Sequence, residues 1–335
     1  MYENNRFMVF WRRKQPQPPV VSCYGKLPAT GDFIRLNAAG HENAAFDEWL
    51  GSSVAVAKQT LGRAFQQVYE PTLGIFIYRG ADGENGDEPE RGMVGVWAAS
   101  GDSAGRHYPM IVSTSYDFEQ LVAVGPALPI ALWPFITAAY NLVANGRGLA
   151  VDDFLTRVAQ IQPLLLDSPE SAAASYYQWL QHQPMHALWD TVFGSAAGRH
   201  AAVYNVQATI EAFREQECPQ TPLALHFPIG AGDAYAVAVW MDMTLRLAGW
   251  RRTVLNAFWT PQHDLVMHVG PPQVGTFREM ISFSGEADYV TDLVCPPNID
   301  ERTARDRLGP LAEVVDNVDQ SIGVFLTGLN PEVPR

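Results

Sequence analysis

The stretch from Cys23 to Phe33 constrains the fold of this chain more than any other. It sets two glycines, a proline, a lysine and an aspartate between apolar anchors, in the order Cys23-Tyr24-Gly25-Lys26-Leu27-Pro28-Ala29-Thr30-Gly31-Asp32-Phe33. Glycine permits positive φ at a bend, and proline fixes the backbone between two bends. The pattern predicts a strand that ends at Gly25, two tight turns, and a return of Phe33 and Ile34 to the core.

Gly25-Lys26 is not part of a phosphate-binding loop. That loop needs a glycine, four residues and then Gly-Lys-Ser/Thr, followed by a helix. Leu27 stands where the Mg²⁺-binding hydroxyl would be. We therefore predict no nucleotide site here, and the residue types alone favour a structural β-turn with one satisfied aspartate.

A second turn-rich block is Ser100-Gly101-Asp102-Ser103-Ala104-Gly105-Arg106-His107-Tyr108-Pro109. It leads into a predicted third strand that runs from Arg106 to Tyr116. Within the turn, we expect Asp102 to cap backbone amides and Arg106 to pair with a carboxylate, for which Asp32 is one candidate.

If both turn-rich blocks lie at the same end of one antiparallel sheet, their charged residues form a cluster. Its members are Lys26, Asp32, Asp102, Arg106 and His107. No serine or cysteine nucleophile with a paired base accompanies them, so we favour mutual structural pairing and predict no catalytic residue. The alternative is a small-molecule hydrolase or nucleotide-handling enzyme that uses this cluster.

The remaining pattern predicts helices and strands in both halves of the chain. Apolar residues recur at helical spacing from His41 to Tyr69, and two strand-like runs follow at 72–78 and 93–99. Helical patterns dominate from Leu128. The second half adds a buried helix at 234–247 and a hairpin with strands at 253–259 and 264–269.

Composition places the chain among ordinary globular proteins. Lys and Arg number 23 against 36 Asp and Glu, which gives a net charge of −13 and argues against a nucleic-acid-binding surface. Three cysteines, at 23, 218 and 295, form no Cys-x-x-Cys pair and fit a reducing cytoplasm. The longest apolar runs are too short for an integral membrane segment.

The two turn-rich blocks together resemble the TagF (ImpM) family, an accessory family of bacterial type VI secretion systems. The first block contributes Gly25, Lys26, Leu27, Pro28, Gly31, Asp32 and Phe33, and the second contributes Asp102, Gly105, Arg106, Tyr108 and Pro109. The resemblance covers roughly residues 22–190, and Phe258-Trp259-Thr260 with Gly270-Pro271-Pro272 is similar to the longer members. It marks the twelve residues named from the two blocks, together with Trp259, as signature or interaction residues.

The resemblance also implies a fold and a role. The expected fold is α/β (α+β), with a central antiparallel sheet flanked by helices. The expected role is that of a non-enzymatic, cytoplasmic regulator that restrains secretion after translation. Its implied partners are a forkhead-associated domain protein and the membrane-associated assembly machinery, without a cofactor or a metal.

The predicted domain organisation has three parts. Residues 1–20 form a basic, proline-rich tail, residues 21–194 a TagF-like α/β domain, and residues 195–335 a smaller α/β domain. The boundary is placed at Gly194-Ser195-Ala196-Ala197-Gly198, which is small and unpatterned.

Overall fold

A computed structural model describes residues 18–82, 89–166, 168–216, 221–230, 234–260, 263–293 and 299–329. Residues 18–20 precede the first strand without regular structure, and residues 1–17 of the predicted tail lie outside this range, as do Cys218 and Cys295. The described strands are β1 (Val21–Lys26), β2 (Phe33–Leu36), β3 (Leu73–Tyr78), β4 (Arg91–Ala98), β5 (Met110–Asp117), β6 (Ala224–Phe227), β7 (Asn256–Thr260), β8 (His263–His268) and β9 (Val290–Asp292).

All of these strands belong to one nine-stranded sheet. Their order is β2-β1-β5-β4-β3-β7-β8-β6-β9, and every neighbouring pair is antiparallel except β6 and β9. The predicted α/β class with a central antiparallel sheet is therefore confirmed. The strand predicted from Arg106 to Tyr116 is β5. It begins at Met110, so Arg106 to Pro109 belong to the preceding loop.

Helices cover both faces of the sheet. They are α1 (His41–Leu61), α2 (Phe65–Tyr69), α3 (Phe118–Val124), α4 (Leu128–Ala131), α5 (Trp133–Asn145), α6 (Val151–Gln160), α7 (Pro169–His182), α8 (Met185–Phe193), α9 (Arg199–Ile210), α10 (Ala234–Ala248), α11 (Thr276–Ile281), α12 (Glu301–Leu308), α13 (Leu311–Asp316) and α14 (Ile322–Gly328). The predicted helix from His41 to Tyr69 is present but is divided by a 3₁₀ turn at Gly62–Ala64, where Gly62 has a φ of 52°.

Two hydrophobic cores result, one on each face. The smaller core packs α1, α2 and α11 against the sheet and is rich in aromatic rings, such as Phe46, Phe76 and Trp97. The larger core holds the side chains of the opposite face together with those of α5, α7 and α10. Strands β3 and β4 contribute side chains to both cores, which explains why their sequences are almost continuously apolar.

The edge strand β2 corrects one prediction. Ile34 is buried as expected, but Phe33 is 44% exposed. Because side chains alternate along a strand, Phe33 and Arg35 both point away from the face that Ile34 buries. The predicted return of Phe33 to the core was wrong, because the pattern did not show that this strand lies at the sheet edge.

The predicted boundary after residue 194 falls between α8 and α9. Gly194 ends α8 in the left-handed conformation, with a φ of 72°. The sheet continues across this boundary, because β7 pairs with β3 at Phe258 and Phe76. The larger core also contains residues from both sides of it. The division into two domains stays a prediction.

Candidate functional site

The two turn-rich blocks meet at one end of the sheet. The first turn closes where Thr30 N donates to Leu27 O at 3.1 Å, and the second where Gly105 N donates to Asp102 O at 3.0 Å. Ser103 N donates to Thr30 O at 3.0 Å, which joins the two turns through their backbones. The condition for a charged cluster, that both blocks lie at the same end of one antiparallel sheet, is thus met.

Asp102 is the centre of this junction. Its Oδ2 accepts hydrogen bonds from Lys26 Nζ at 2.6 Å and from Arg106 Nε at 2.7 Å. Its Oδ1 accepts from the backbone amides of Ala104 and Arg106, at 3.0 and 2.9 Å. The hydrogen bond from Lys26, followed by those from Arg106 and Ala104, holds the pKa of this carboxyl well below its usual range. The predicted capping role of Asp102 is confirmed.

Arg106 links the two turns a second time. Its Nη2 donates to Gly31 O at 2.6 Å while its Nε donates to Asp102 Oδ2. Asp32 was therefore the wrong candidate for its carboxylate partner; Asp32 lies exposed in the first turn, where its amide donates to Thr30 Oγ1 at 3.2 Å. We call Lys26, Asp102 and Arg106 the clamp, because they fasten one turn to the other.

Glycine is required at two positions of this arrangement. A Cβ on Gly25 would collide with the backbone carbonyl of Pro109 on the neighbouring chain segment, and Gly25 has a φ of 145°. Gly105 has a φ of 79°, a value that residues with side chains rarely adopt. These constraints explain the sequence position of both glycines in physical terms.

An aromatic group lies beside the clamp. The Phe33 ring stacks on Tyr24, with centroids 5.1 Å apart, and meets the edge of Tyr108 at 5.1 Å. Lys26 Nζ lies 4.2 Å from the centroid of the same ring. Phe33 is thus exposed yet held in one place. Leu27 is buried under the turn, whereas Pro28 is exposed at its tip.

His107 does not join the clamp. Its ring contacts Phe65 and Tyr69, with centroids 6.0 and 5.6 Å away, under α1 and α2. Its carbonyl accepts a hydrogen bond from Lys58 Nζ at 3.0 Å. Of the five predicted cluster residues, the structure therefore brings together Lys26, Asp102 and Arg106.

Sequence reasoning missed Asp47, Tyr69 and Lys58, which hold the second block in place. Tyr108 donates its hydroxyl to the Asp47 carboxylate, whereas Tyr69 exchanges hydrogen bonds with the backbone of Ser100 at 2.9 and 3.0 Å. The third residue is Lys58, and burial lowers the pKa of its ammonium group. Asp47 and Lys58 are eleven residues apart on α1, about three helical turns, so they lie on one face beside the apolar stripe. The position of these two charged residues next to the apolar stripe is the sequence signal that could have identified them.

Trp259 has a different environment from the residues of the two turns. It is fully buried on β7, paired with Ile75 of β3. Its contacts are those of the core, whereas Pro28, Phe33 and Arg106 are exposed.

Within the described residues, no group of three or more His, Cys, Asp or Glu side chains is placed to hold a metal ion. Cys23, a free thiol, is buried, and burial raises its pKa to about 12. In the same part of the chain no single helix is long and apolar enough to cross a membrane, although the segments Phe118–Ala131 and Trp133–Asn145 pass that test together with a 56° bend between them.

Comparison with known families gives the site its context. Residues 22–161 match the model of the TagF N-terminal domain, described as type VI secretion system-associated. This range contains both turns, the clamp and α1. The chain is thus a type VI secretion-associated protein.

This match over residues 22–161 agrees with the resemblance of the two turn-rich blocks to the TagF family. The crystal structure of PA0076 from Pseudomonas aeruginosa PAO1 is similar to this chain with a TM-score of 0.46 and 16% sequence identity, over 80% of this chain and 96% of that one. No curated protein matches the chain.

Proposed function

We propose that this protein is a post-translational negative regulator of type VI secretion that acts through protein–protein contacts. It restrains assembly or secretion by binding secretion components in the cytoplasm. The contact surface is the pair of joined turns, with Pro28, Phe33 and Arg106 facing the partner. The proposal rests on the TagF domain and on the geometry of these exposed residues.

Phe33 is the observation that carries the contact surface. An exposed aromatic ring offers a large apolar area to a partner, and aromatic residues are enriched at the centres of interfaces. Its contacts with Tyr24, Tyr108 and Lys26 fix its orientation before binding. A partner therefore loses little free energy in ordering this side chain.

The hydrogen bonds within the clamp support a non-enzymatic role. The Asp102 carboxylate already accepts four hydrogen bonds, two from cationic side chains and two from backbone amides. A general acid or base needs a proton site within reach of a substrate. The buried Lys26 and Asp102 are occupied with each other, which favours structural pairing over catalysis.

The partners we propose follow from the family resemblance. They are a forkhead-associated domain protein of the secretion system and the membrane-associated assembly machinery.

The test is the substitution Phe33→Asp in the full chain. We expect the variant to lose at least one secretion component in pull-downs from lysate of the producing bacterium, because a buried carboxylate at an interface centre lacks a partner. We expect secretion of a type VI substrate to rise in cells that carry the variant, because the restraint is released.

The control is Leu165→Asp, which places the same charge at another exposed apolar residue, 58% exposed. Both variants need a thermal melt close to that of the wild type. A folded Phe33→Asp variant that retains every component would remove the joined turns as the contact surface. Loss of a component with lower secretion would contradict the negative sign of the regulation.

A further inference from the structure

A groove of about 470 Å³ runs between α1 and the chain that precedes α11. Apolar and proline side chains form most of its walls: Trp49, Tyr78, Pro271, Pro272 and Val274. The Trp49 indole is fixed, because its Nε1 donates to Gln273 O at 3.0 Å and its ring stacks on Phe258 with centroids 5.0 Å apart. Val274, at the rim, is 46% exposed.

Grooves lined by aromatic side chains are the usual receptors for proline-rich segments in the polyproline II conformation. Such a segment is already extended before binding, so docking it costs little conformational entropy. The walls of this groove therefore fit an extended, proline-containing occupant.

The charge of the groove selects a basic occupant. Arg79 and Asp82 lie in it and form an ion pair, with Arg79 Nη1 2.7 Å from Asp82 Oδ1. Glu48 also lines the groove, is exposed, and has no ion pair with another described side chain. The net charge of the groove is thus negative.

The chain itself carries a segment of this chemistry close by. Residues 12–19 read Arg12-Arg13-Lys14-Gln15-Pro16-Gln17-Pro18-Pro19, which combines three cations with three prolines. The described chain begins at Pro18, three residues before β1. Ser22 of β1 lies beside the first turn of α1, where its Oγ is 3.5 Å from Asn43 Oδ1.

The distance from that point to the groove is within reach of the segment. Val21 pairs with Thr114 of β5, which pairs with Val94 of β4 and then with Ile77 of β3, next to Tyr78 in the groove. Three strand spacings amount to about 14 Å. Measured back from Val21, the five residues from Pro16 to Val20 span about 16 Å of polyproline II and the seven from Lys14 to Val20 about 22 Å, so Pro16 and the three cations are within reach of the groove.

We propose that this groove is the docking site for the chain's own segment 12–17. Pro16 lies against Trp49, Pro271 and Pro272, and the three cations face Glu48. This inference does not depend on the proposed regulatory function, because it concerns a different surface.

The test is site-specific photo-crosslinking in the full chain. Gln15 is replaced by p-benzoyl-phenylalanine, and the protein is mixed with ¹⁵N-labelled chains that lack the crosslinker. We expect crosslinks within one chain, to peptides that contain Trp49 or Pro271–Val274. The variant Glu48→Lys should lower their yield about fivefold, because it replaces attraction by repulsion.

The matched control is Glu215→Lys, which makes the same charge change at an exposed glutamate outside the groove. It should leave the yield unchanged. If Glu48→Lys does not fold, Val274→Ser replaces it, because it removes an exposed apolar wall. Crosslinks to other surfaces or to the labelled chain would overturn the proposal, as would equal yields in wild type and the groove variant.

Discussion

At the scale of single residues, His268 shows how burial changes chemistry. It lies at the end of β8 without solvent exposure, and its Nε2 lies 2.8 Å from Thr276 Oγ1. Its ring faces Phe258 and Tyr289. Burial disfavours the charged imidazolium and lowers the pKa of His268 to about 3.

This shift predicts how stability depends on pH. The unfolded chain binds a proton at His268 below about pH 6.5, whereas the folded protein does not do so until about pH 3. The free energy of unfolding therefore decreases as the pH is lowered between these values, by up to about 1.4 kcal/mol per unit from this residue. Urea denaturation at pH values from 7 to 4 measures this decrease in the free energy of unfolding.

The double variant His268→Phe/Thr276→Val isolates this contribution, because it removes the titrating ring and its hydrogen-bond partner together. We expect a shallower decrease of stability with acid in this variant. The exposed His182 provides the control, and His182→Gln should keep the wild-type slope. Equal slopes in all three proteins would show that His268 is accessible to protons in the folded state.

At the scale of elements, the clamp joins two turns that are about seventy-five residues apart in sequence. The turn chemistry of each block was readable from its glycines, Pro28 and Asp102, because turns depend on residues next to each other. The sequence did not show which cation pairs with which carboxylate. Asp32 and Asp102 are equally plausible partners for Arg106 until the backbone contact between Ser103 and Thr30 is known.

The clamp predicts unequal costs for its two cations. Lys26→Met keeps the length of the side chain but removes a buried charge that Asp102 needs, so we expect a loss of about 3 kcal/mol in the free energy of unfolding. Arg106→Met affects a side chain that is 64% exposed, and we expect a loss below about 1 kcal/mol.

Chemical denaturation of the two variants beside the wild type gives both values. The paired substitution controls for the change to methionine, so burial is the main difference between the sites. Similar small losses for both would mean that the clamp does not hold the turns together, and that the turns are fixed by their backbone contacts.

At the scale of the whole molecule, the pairing of β3 with β7 joins the two halves of the chain. Ile75, Phe76 and Ile77 face Trp259, Phe258 and Ala257 across this pair. The strands of each half were identifiable from apolar runs and turn residues. Their union in one sheet was not, because strand pairing between distant segments leaves no local pattern.

This junction predicts that the two halves unfold together. Hydrogen–deuterium exchange at increasing urea concentration should give the same midpoint for peptides from β4 and β5 and for peptides from α10 and β8. A shared sheet and a shared core couple their stabilities. If peptides after residue 195 lose protection at a clearly lower urea concentration, the two predicted domains, 21–194 and 195–335, unfold independently.

The sequence by itself determined the features that depend on neighbouring residues. These are the turns around Gly25 and Gly105, the helix that begins at His41, the hairpin in the second half and the resemblance to TagF. The tertiary structure alone decided the exposure of Phe33, the partner of Arg106, the separation of His107 from the clamp and the continuity of the sheet. The reason is that these features depend on which distant segments meet, and that outcome is fixed by packing of the whole chain rather than by local preference.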